Sequence, residues 1–363
     1  MSTLTNVAAG GRVAGRRRRT DGALLAPSVV LAGSAALLLV AVVLGVGVGA
    51  VSIAPWDTAR ILLGHAGLTV DVDPQQDAIL WAIRLPRVVL GVLVGGALAV
   101  SGAALQGVFR NPLADPTIVG VASGASVGAV AAILFGFAGV IHGGLQGAAF
   151  CGGVLAVLVV YGLARHDGRT ETVTLVLVGV AVTAIAGALV GLMIASADDE
   201  QLRDIVFWSL GSLGGATWPL VLATAPFVVV GVVAALTQTR ALDLLALGER
   251  EAAHLGIEVE RVRLLLVVAL ALATSAAVAA AGIVAFVGLI VPHLVRLVAG
   301  PSHRIVLPAS LLAGGAVVAL ADLVARTVAA PVELPLGVVT ALAGGPLFLW
   351  LVLRTRHAHG GWA

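Results

Sequence analysis

Apolar residues run in long, nearly unbroken blocks along the chain, and polar residues gather in the gaps between them. The blocks fall at 28–50, 87–108, 118–138, 144–164, 172–195, 218–236, 263–281, 283–299, 305–325 and 336–353. A bilayer core about 30 Å thick needs roughly 20 apolar helical residues to cross it. The pattern therefore predicts an all-α integral membrane protein of about ten transmembrane helices. The division between the seventh and eighth blocks rests on Gly282 alone, in VAAAGIVAFVGLIVPHLVR. Ten spans split five and five put the second half upside down relative to the first, the inverted arrangement of many transport folds. That inversion follows from parity, since no strong internal repeat is evident.

Composition agrees with lipid as the solvent: 60% of residues are hydrophobic and 11% charged, with a mean hydropathy of +1.09. Soluble domains are nearer half apolar and a quarter charged. The chain divides into a basic tail over 1–27, a membrane domain over 28–353 with a polar loop at 237–262, and a second tail over 354–363. GRVAGRRRRT before the first block resembles an export leader, but the block exceeds the roughly 7–15 residues of a signal core and is expected to be retained. All 21 basic residues are arginine. With the amino terminus inside, sixteen arginines lie on the inner side and five on the outer, as the positive-inside rule demands. Both termini are thus expected in the cytoplasm. Gly91, Gly95, Gly96, Ser101 and Gly102, then Gly120, Gly124 and Gly128, should let helix backbones approach closely.

Few motifs carry chemistry. Gly124-Ala125-Ser126-Val127-Gly128 matches GxSxG, but a nucleophile elbow needs a strand-to-helix turn, and this copy lies in an apolar helix. A phosphate-binding loop needs a lysine, and the chain has none, so any ATPase must be a separate polypeptide. Cys151 is expected to be a small buried hydrophobe. His293, His357 and His359 do not make a metal site. The 237–262 loop is amphipathic: Leu244, Leu245, Leu247 and Leu255 could pack on the bundle, Gly248 and Gly256 would break its helices, and Glu249, Arg250 and Glu251 would face out. Arg84, Arg87 and Arg326 stand at the outer boundary, against the orientation rule, and could bind a partner's carboxylates. Asp322, four residues before Arg326, could instead pair with it. It is also the only acidic residue inside a proposed span, too few for an ion-coupled secondary transporter.

From Trp81 to Leu353 these features coincide with one family. The strings RLPR, SGAALQGVFRNPLADP, VASGASVG, FWSLGSL, LALGEREAAHLGI, GIVAFVGLIVPHLVRLVAG, ADLVAR and ELPLGVVTALAGGPLF resemble the FecCD-type permeases of ATP-binding-cassette importers for vitamin B12, ferric siderophores and haem. The resemblance implies a type II importer permease with inverted halves in a bacterial cytoplasmic membrane, without catalytic residues, metal site or cofactor of its own. It implies a second permease subunit, identical or paralogous, two cytoplasmic ATPase subunits carrying ATP and Mg, and an extracytoplasmic substrate-binding protein. Arg84, Arg87 and Arg326 match docking arginines for that protein, although a further arginine of some relatives has no counterpart in ILLGHAGLTVDVDPQQ. Gly248, Glu249, Ala252, Leu255 and Gly256 match the ATPase-coupling segment. Asn111 and Leu113, with Thr172 and Val173 from a less similar stretch, match an inner gate. The cargo this implies is an iron chelate, a ferric siderophore before cobalamin or haem.

Overall fold

The computed structural model describes residues 24–49, 51–116, 120–140, 143–166, 169–170 and 172–359. The arginine-rich tail foreseen over 1–27 lies outside them up to residue 23. The helices are α1 Pro27–Gly47, α2 Pro55–His65, α3 Pro74–Ala78, α4 Leu85–Val108 after a π-helical stretch at Ile79–Arg84, α5 Val121–Leu134, α6 Phe137–Val140 and α7 Gly144–Leu163. After a hairpin of β1 Arg165–His166 and β2 Arg169–Thr170 come α8 Thr172–Ile194, α9 Asp199–Leu210, α10 Trp218–Thr237, α11 Thr239–Leu245 and α12 Glu249–His254. The chain closes with α13 Val259–Ala281, α14 Val287–Ala299, α15 His303–Thr327 and α16 Leu336–His359.

Seven of these are long and apolar enough to cross a membrane, and α5, α14 and the apolar part of α16 are shorter. Together they account for the ten foreseen spans. The start of α1 and the turn after α14 share one face, since the Leu24 and Leu25 amides donate to the Val298 carbonyl. This face carries most of the arginines and is termed the basic face below.

Two foreseen spans are shorter than their apolar blocks. At 1.5 Å per residue, α5 and α14, with 14 and 13 residues, reach only about 20 Å. Each is preceded by non-helical chain, and each starts from an N-cap in the left-handed region, Gly120 at φ +89° and Phe286 at +66°. The two lead-ins enter from opposite faces. A Cβ built on Gly288, in the first turn of α14, would lie 3.1 Å from both Asp115 and Pro116 of the lead-in to α5. Irregular backbone survives at membrane depth only where protein surrounds it, and Ala114, Pro116, Gly282 and Val284 are buried. Gly282, at φ +71°, ends α13 where the sequence placed a break, but the eighth span begins at 287 rather than 283.

The halves exchange partners symmetrically. Helix α4 of the first half packs on α14 and α15 of the second, α13 of the second packs on α5 and α7 of the first, and α4 and α13 pack on each other. This is the contact pattern of inverted halves, and it makes α4 and α13 the most buried spans. Contact is backbone to backbone. A Cβ on Gly95 would collide with the Gly314 carbonyl of α15, and one on Gly102 with the Gly288 carbonyl of α14. Pro292 has no N–H for the Gly288 carbonyl one turn earlier. The Gln106 amide of α4 supplies a donor at 3.4 Å, while Arg296 of α14 donates to the Gln106 amide oxygen and, at 2.9 Å, to the Ala103 carbonyl.

The glycine contacts give a direct stability test. Gly95→Val should destabilise the detergent-solubilised subunit by about 1–3 kcal/mol or more through overpacking, whereas Gly162→Ala, with nothing within 4 Å, should melt like the native chain. Equal melting of both variants would contradict the packing described.

Candidate functional site

On the face opposite the basic one, the three foreseen arginines form a single cluster, and all are spent on internal partners. Arg84, 4% exposed, donates to the Val46 and Gly47 carbonyls at 2.8 and 3.0 Å and to the Val51 carbonyl. The Val46 and Gly47 carbonyls belong to the last turn of α1, which lacks intrahelical donors, and Gly47 accepts from the Ile53 amide as well. Arg87, 8% exposed, sends Nε to both Asp322 oxygens at 3.0 Å, and its two terminal nitrogens to Glu333 at 2.8 and 3.0 Å. Arg326 donates to the Gly45 carbonyl and lies 3.7 Å from Asp322.

Asp322 therefore pairs with Arg326, as its spacing suggests, but more closely with Arg87, 235 residues away. The Glu333 side chain is about half exposed and is the solvent-facing member of the cluster. Hydrogen bonds from Arg87 hold its carboxyl below the ordinary glutamate range. The sequence reading gave Glu333 no role. The available signal was an acid seven residues after Arg326, in the short loop to the last span.

The basic face carries the foreseen coupling loop. Gly248, at φ +134°, and Gly256, at +85°, bracket the six-residue α12, as their helix-breaking role requires. Ala252 is fully buried and Leu245 nearly so, whereas Leu247 and Leu255 are 63% and 56% exposed. The two last-named leucines thus face away from the bundle, contrary to expectation. Glu249 does not simply face out either: it pairs with Arg263 of α13, itself 3% exposed. Arg263 also donates to Glu260 and to the Thr170 carbonyl, both at 2.8 Å, and Glu260 accepts from the Thr170 amide at 2.7 Å.

A second tether holds α11 to α15. Asp243 accepts from the His303 amide at 2.7 Å, the His303 ring at 2.8 Å and the Ser302 hydroxyl at 3.2 Å, so it caps α15 from another element. Burial works against ionisation of Asp243, but the His303 bonds outweigh it and lower its pKa from the ordinary 3.8.

The foreseen gate residues lie where α4 ends and α8 begins. Asn111 accepts from the Leu113 amide at 2.9 Å through its side chain, forming a turn, and Leu113 is 39% exposed. Thr172 opens α8, though its side chain lies outside the described set, and Val173 is 72% exposed. Ser126 sits inside α5, its hydroxyl donating to the Ala122 carbonyl at 2.9 Å, while Gly124 and Gly128 lie against the backbone of α7. GxSxG here is a packing face. Cys151 is exposed on α7 rather than buried. Among the described residues, no group of three or more His, Cys, Asp or Glu side chains could hold a metal ion.

The model of the FecCD transport family matches residues 37–354. The chain belongs to this family. It is 47% identical to the cobalamin import system permease protein BtuC of Halobacterium salinarum over 302 residues, 83% of this chain and 80% of that protein. It is 42% identical to the hemin transport system permease protein HmuU of Yersinia pestis over 77% of this chain and 84% of the relative. The vitamin B12 import system permease protein BtuC of Escherichia coli is 40% identical over 78% and 86%. Among solved structures, one described as an inward-facing metal-chelate type ABC transporter superposes with a TM-score of 0.80 at 32% identity, covering 90% of this chain and 99% of the other. PsaBC of Streptococcus pneumoniae, at 16% identity and a TM-score of 0.52 over 72% and 88% of the two chains, shares the fold alone. This FecCD protein is thus a multi-pass permease subunit of an ABC importer, with the ten-helix type II fold.

The α11 tether makes a prediction with a defined sign. Asp243→Ala should cost about 1–3 kcal/mol, the range for hydrogen bonds to a charged cap. A carboxyl whose folded pKa lies below its unfolded one stabilises the fold above the unfolded value and loses that contribution as pH falls through the folded value. The melting gap between native and Asp243→Ala protein should be full at pH 5–7 and close as pH falls below 3.8.

Proposed function

We propose that this permease forms half of the membrane path of an importer for a large metal chelate, with the basic face cytoplasmic. The cargo class rests on the relatives. Three at 40–47% identity carry cobalamin or vitamin B12 import or hemin transport in their names, which favours a tetrapyrrole-type complex over the ferric siderophore first expected. A second permease subunit completes the path against α8, whose Thr183, Gly187 and Gly191 are exposed at the four-residue spacing of a helix contact.

The observation that carries the energy-coupling side is the exposed, mixed patch of Leu247, Arg250, Glu251 and Leu255 on a loop pinned to the bundle at Asp243, Ala252 and Glu249. An apolar anchor with a charged rim suits a protein interface, and a separate ATPase subunit docks there, one on each of the two permease subunits. Asp322, enclosed by Arg87 and Arg326, is poorly placed as a proton relay, so an ion-coupled mechanism gains no support.

At the opposite face, docking of a binding protein engages the arginine cluster through Glu333. Arg87 already holds two carboxylates, so an acidic residue of the partner reaches it by taking the place of Glu333. Glu333→Gln should therefore tighten docking several-fold in a pull-down at physiological salt. Arg87→Gln should weaken it at least tenfold and destabilise the subunit by about 3–5 kcal/mol, since Asp322 loses its nearest cation. Weaker docking of Glu333→Gln would remove the exchange. Cargo class is tested in vesicles holding the whole importer, by comparing uptake of cobalamin, hemin and a ferric hydroxamate. Selective uptake of the hydroxamate would overturn the tetrapyrrole assignment.

A further inference from the structure

We propose that Arg263 is a positioning residue that ties the coupling helix to the entrance of α8, so that motion imposed on α12 reaches the gate-side end of that span. The inference rests on the ATPase-coupling reading of the 248–256 segment and adds the path by which that segment acts. Groups from α12, from α13 itself and from the sequence-distant hairpin converge on one guanidinium. Glu249, the first residue of α12, pairs with it. Glu260, one turn earlier on α13, pairs with it at 2.8 Å. From the hairpin, the Thr170 carbonyl accepts from it at 2.8 Å.

Thr170 is held on both sides, because its amide also donates to Glu260 at 2.7 Å. It stands two residues before the start of α8. The route from the coupling helix toward α8 thus runs through three charged side chains to the two peptide groups that flank Thr170.

The surroundings suit a lever. Helix α12 has six residues and lies between two glycines in the left-handed region, Gly248 and Gly256, where other residues are strained. A Cβ on Gly256 would meet nothing within 4 Å, so that end has room to move. Among the described residues, the one salt bridge recorded for α12 is Glu249 to Arg263. A buried ion pair is weak evidence for stability, since well-packed apolar residues often serve as well. A planar fork that joins three backbones in fixed geometry does what apolar packing does not.

The native chain has a single cysteine, Cys151, so Cys151→Ser with Val173→Cys places one thiol at the gate-side end of α8. N-ethylmaleimide labelling of that thiol is measured in the complete importer, without nucleotide and with ATP plus vanadate. With Glu249 and Arg263 native, the labelling rate should differ at least fivefold between the two states. Glu249→Gln, a change at a half-exposed residue, should reduce the difference below twofold while the ATPase co-purifies in full amount. Arg263→Lys, which keeps the charge but not the fork, should do the same. An undiminished difference in Glu249→Gln would overturn the relay. Loss of ATPase co-purification in Glu249→Gln would also overturn it, by making Glu249 a docking contact. If the ATPase fails to co-purify with the chain carrying native Glu249 and Arg263, the coupling reading falls, and the relay with it.

Discussion

Close approach of bare backbone between α4 and the helices of the opposite half is the constraint on which the rest of this structure depends. Lipid tails are as apolar as leucine, so burial gives helices little reason to associate in a membrane, and packing and hydrogen bonds must do it. Gly95 against Gly314 and Gly102 against Gly288 bring α4 into contact with α15 and α14. That approach sets α4 and α15 side by side, and with them Arg87 and Asp322. It also brings Gln106 within reach of the Gly288 carbonyl that Pro292 leaves without its helical partner.

The charged groups follow from this frame. At the end of α4 opposite the basic face, a guanidinium and two carboxylates from α15 and the next loop close a cluster that would be costly to bury unpaired. At the basic face the same economy holds Glu249, Glu260 and Thr170 around Arg263, and Asp243 around the start of α15. The two faces differ in what they leave exposed. The arginine cluster shows water a carboxylate, Glu333, over buried arginines, whereas the basic face shows leucines and charges around a short helix between two glycines. On the proposed function these are surfaces for different partners, with the ten-helix bundle as the path between them.

Much of the fold is legible in the sequence because lipid leaves few choices: a span must be apolar and helical, so the ten blocks at 28–353 announce themselves. The lead-ins to α5 and α14 were not legible as such. GIVAF at 282–286 is as apolar as a helix, and hydropathy does not register that its backbone leaves the helix at Gly282 and re-enters one only after Phe286. Arg84, Arg87 and Arg326 were visible by their position against the orientation rule, but their partners were not. Arg87 and Glu333 are 246 residues apart, and only the tertiary fold joins them. Leu247 and Leu255 were misplaced because they lie just past the ends of α11 and α12, where helical periodicity no longer sets which way a side chain faces.

The central claim is that this chain conducts cargo only when driven by ATP hydrolysed on a separate subunit. It is tested most directly by measuring hemin or cobalamin uptake into proteoliposomes containing the permease, its ATPase and its binding protein. Accumulation should require ATP and cease when the ATPase carries a hydrolysis-blocking substitution. Accumulation sustained by a proton or sodium gradient with hydrolysis blocked would contradict the account.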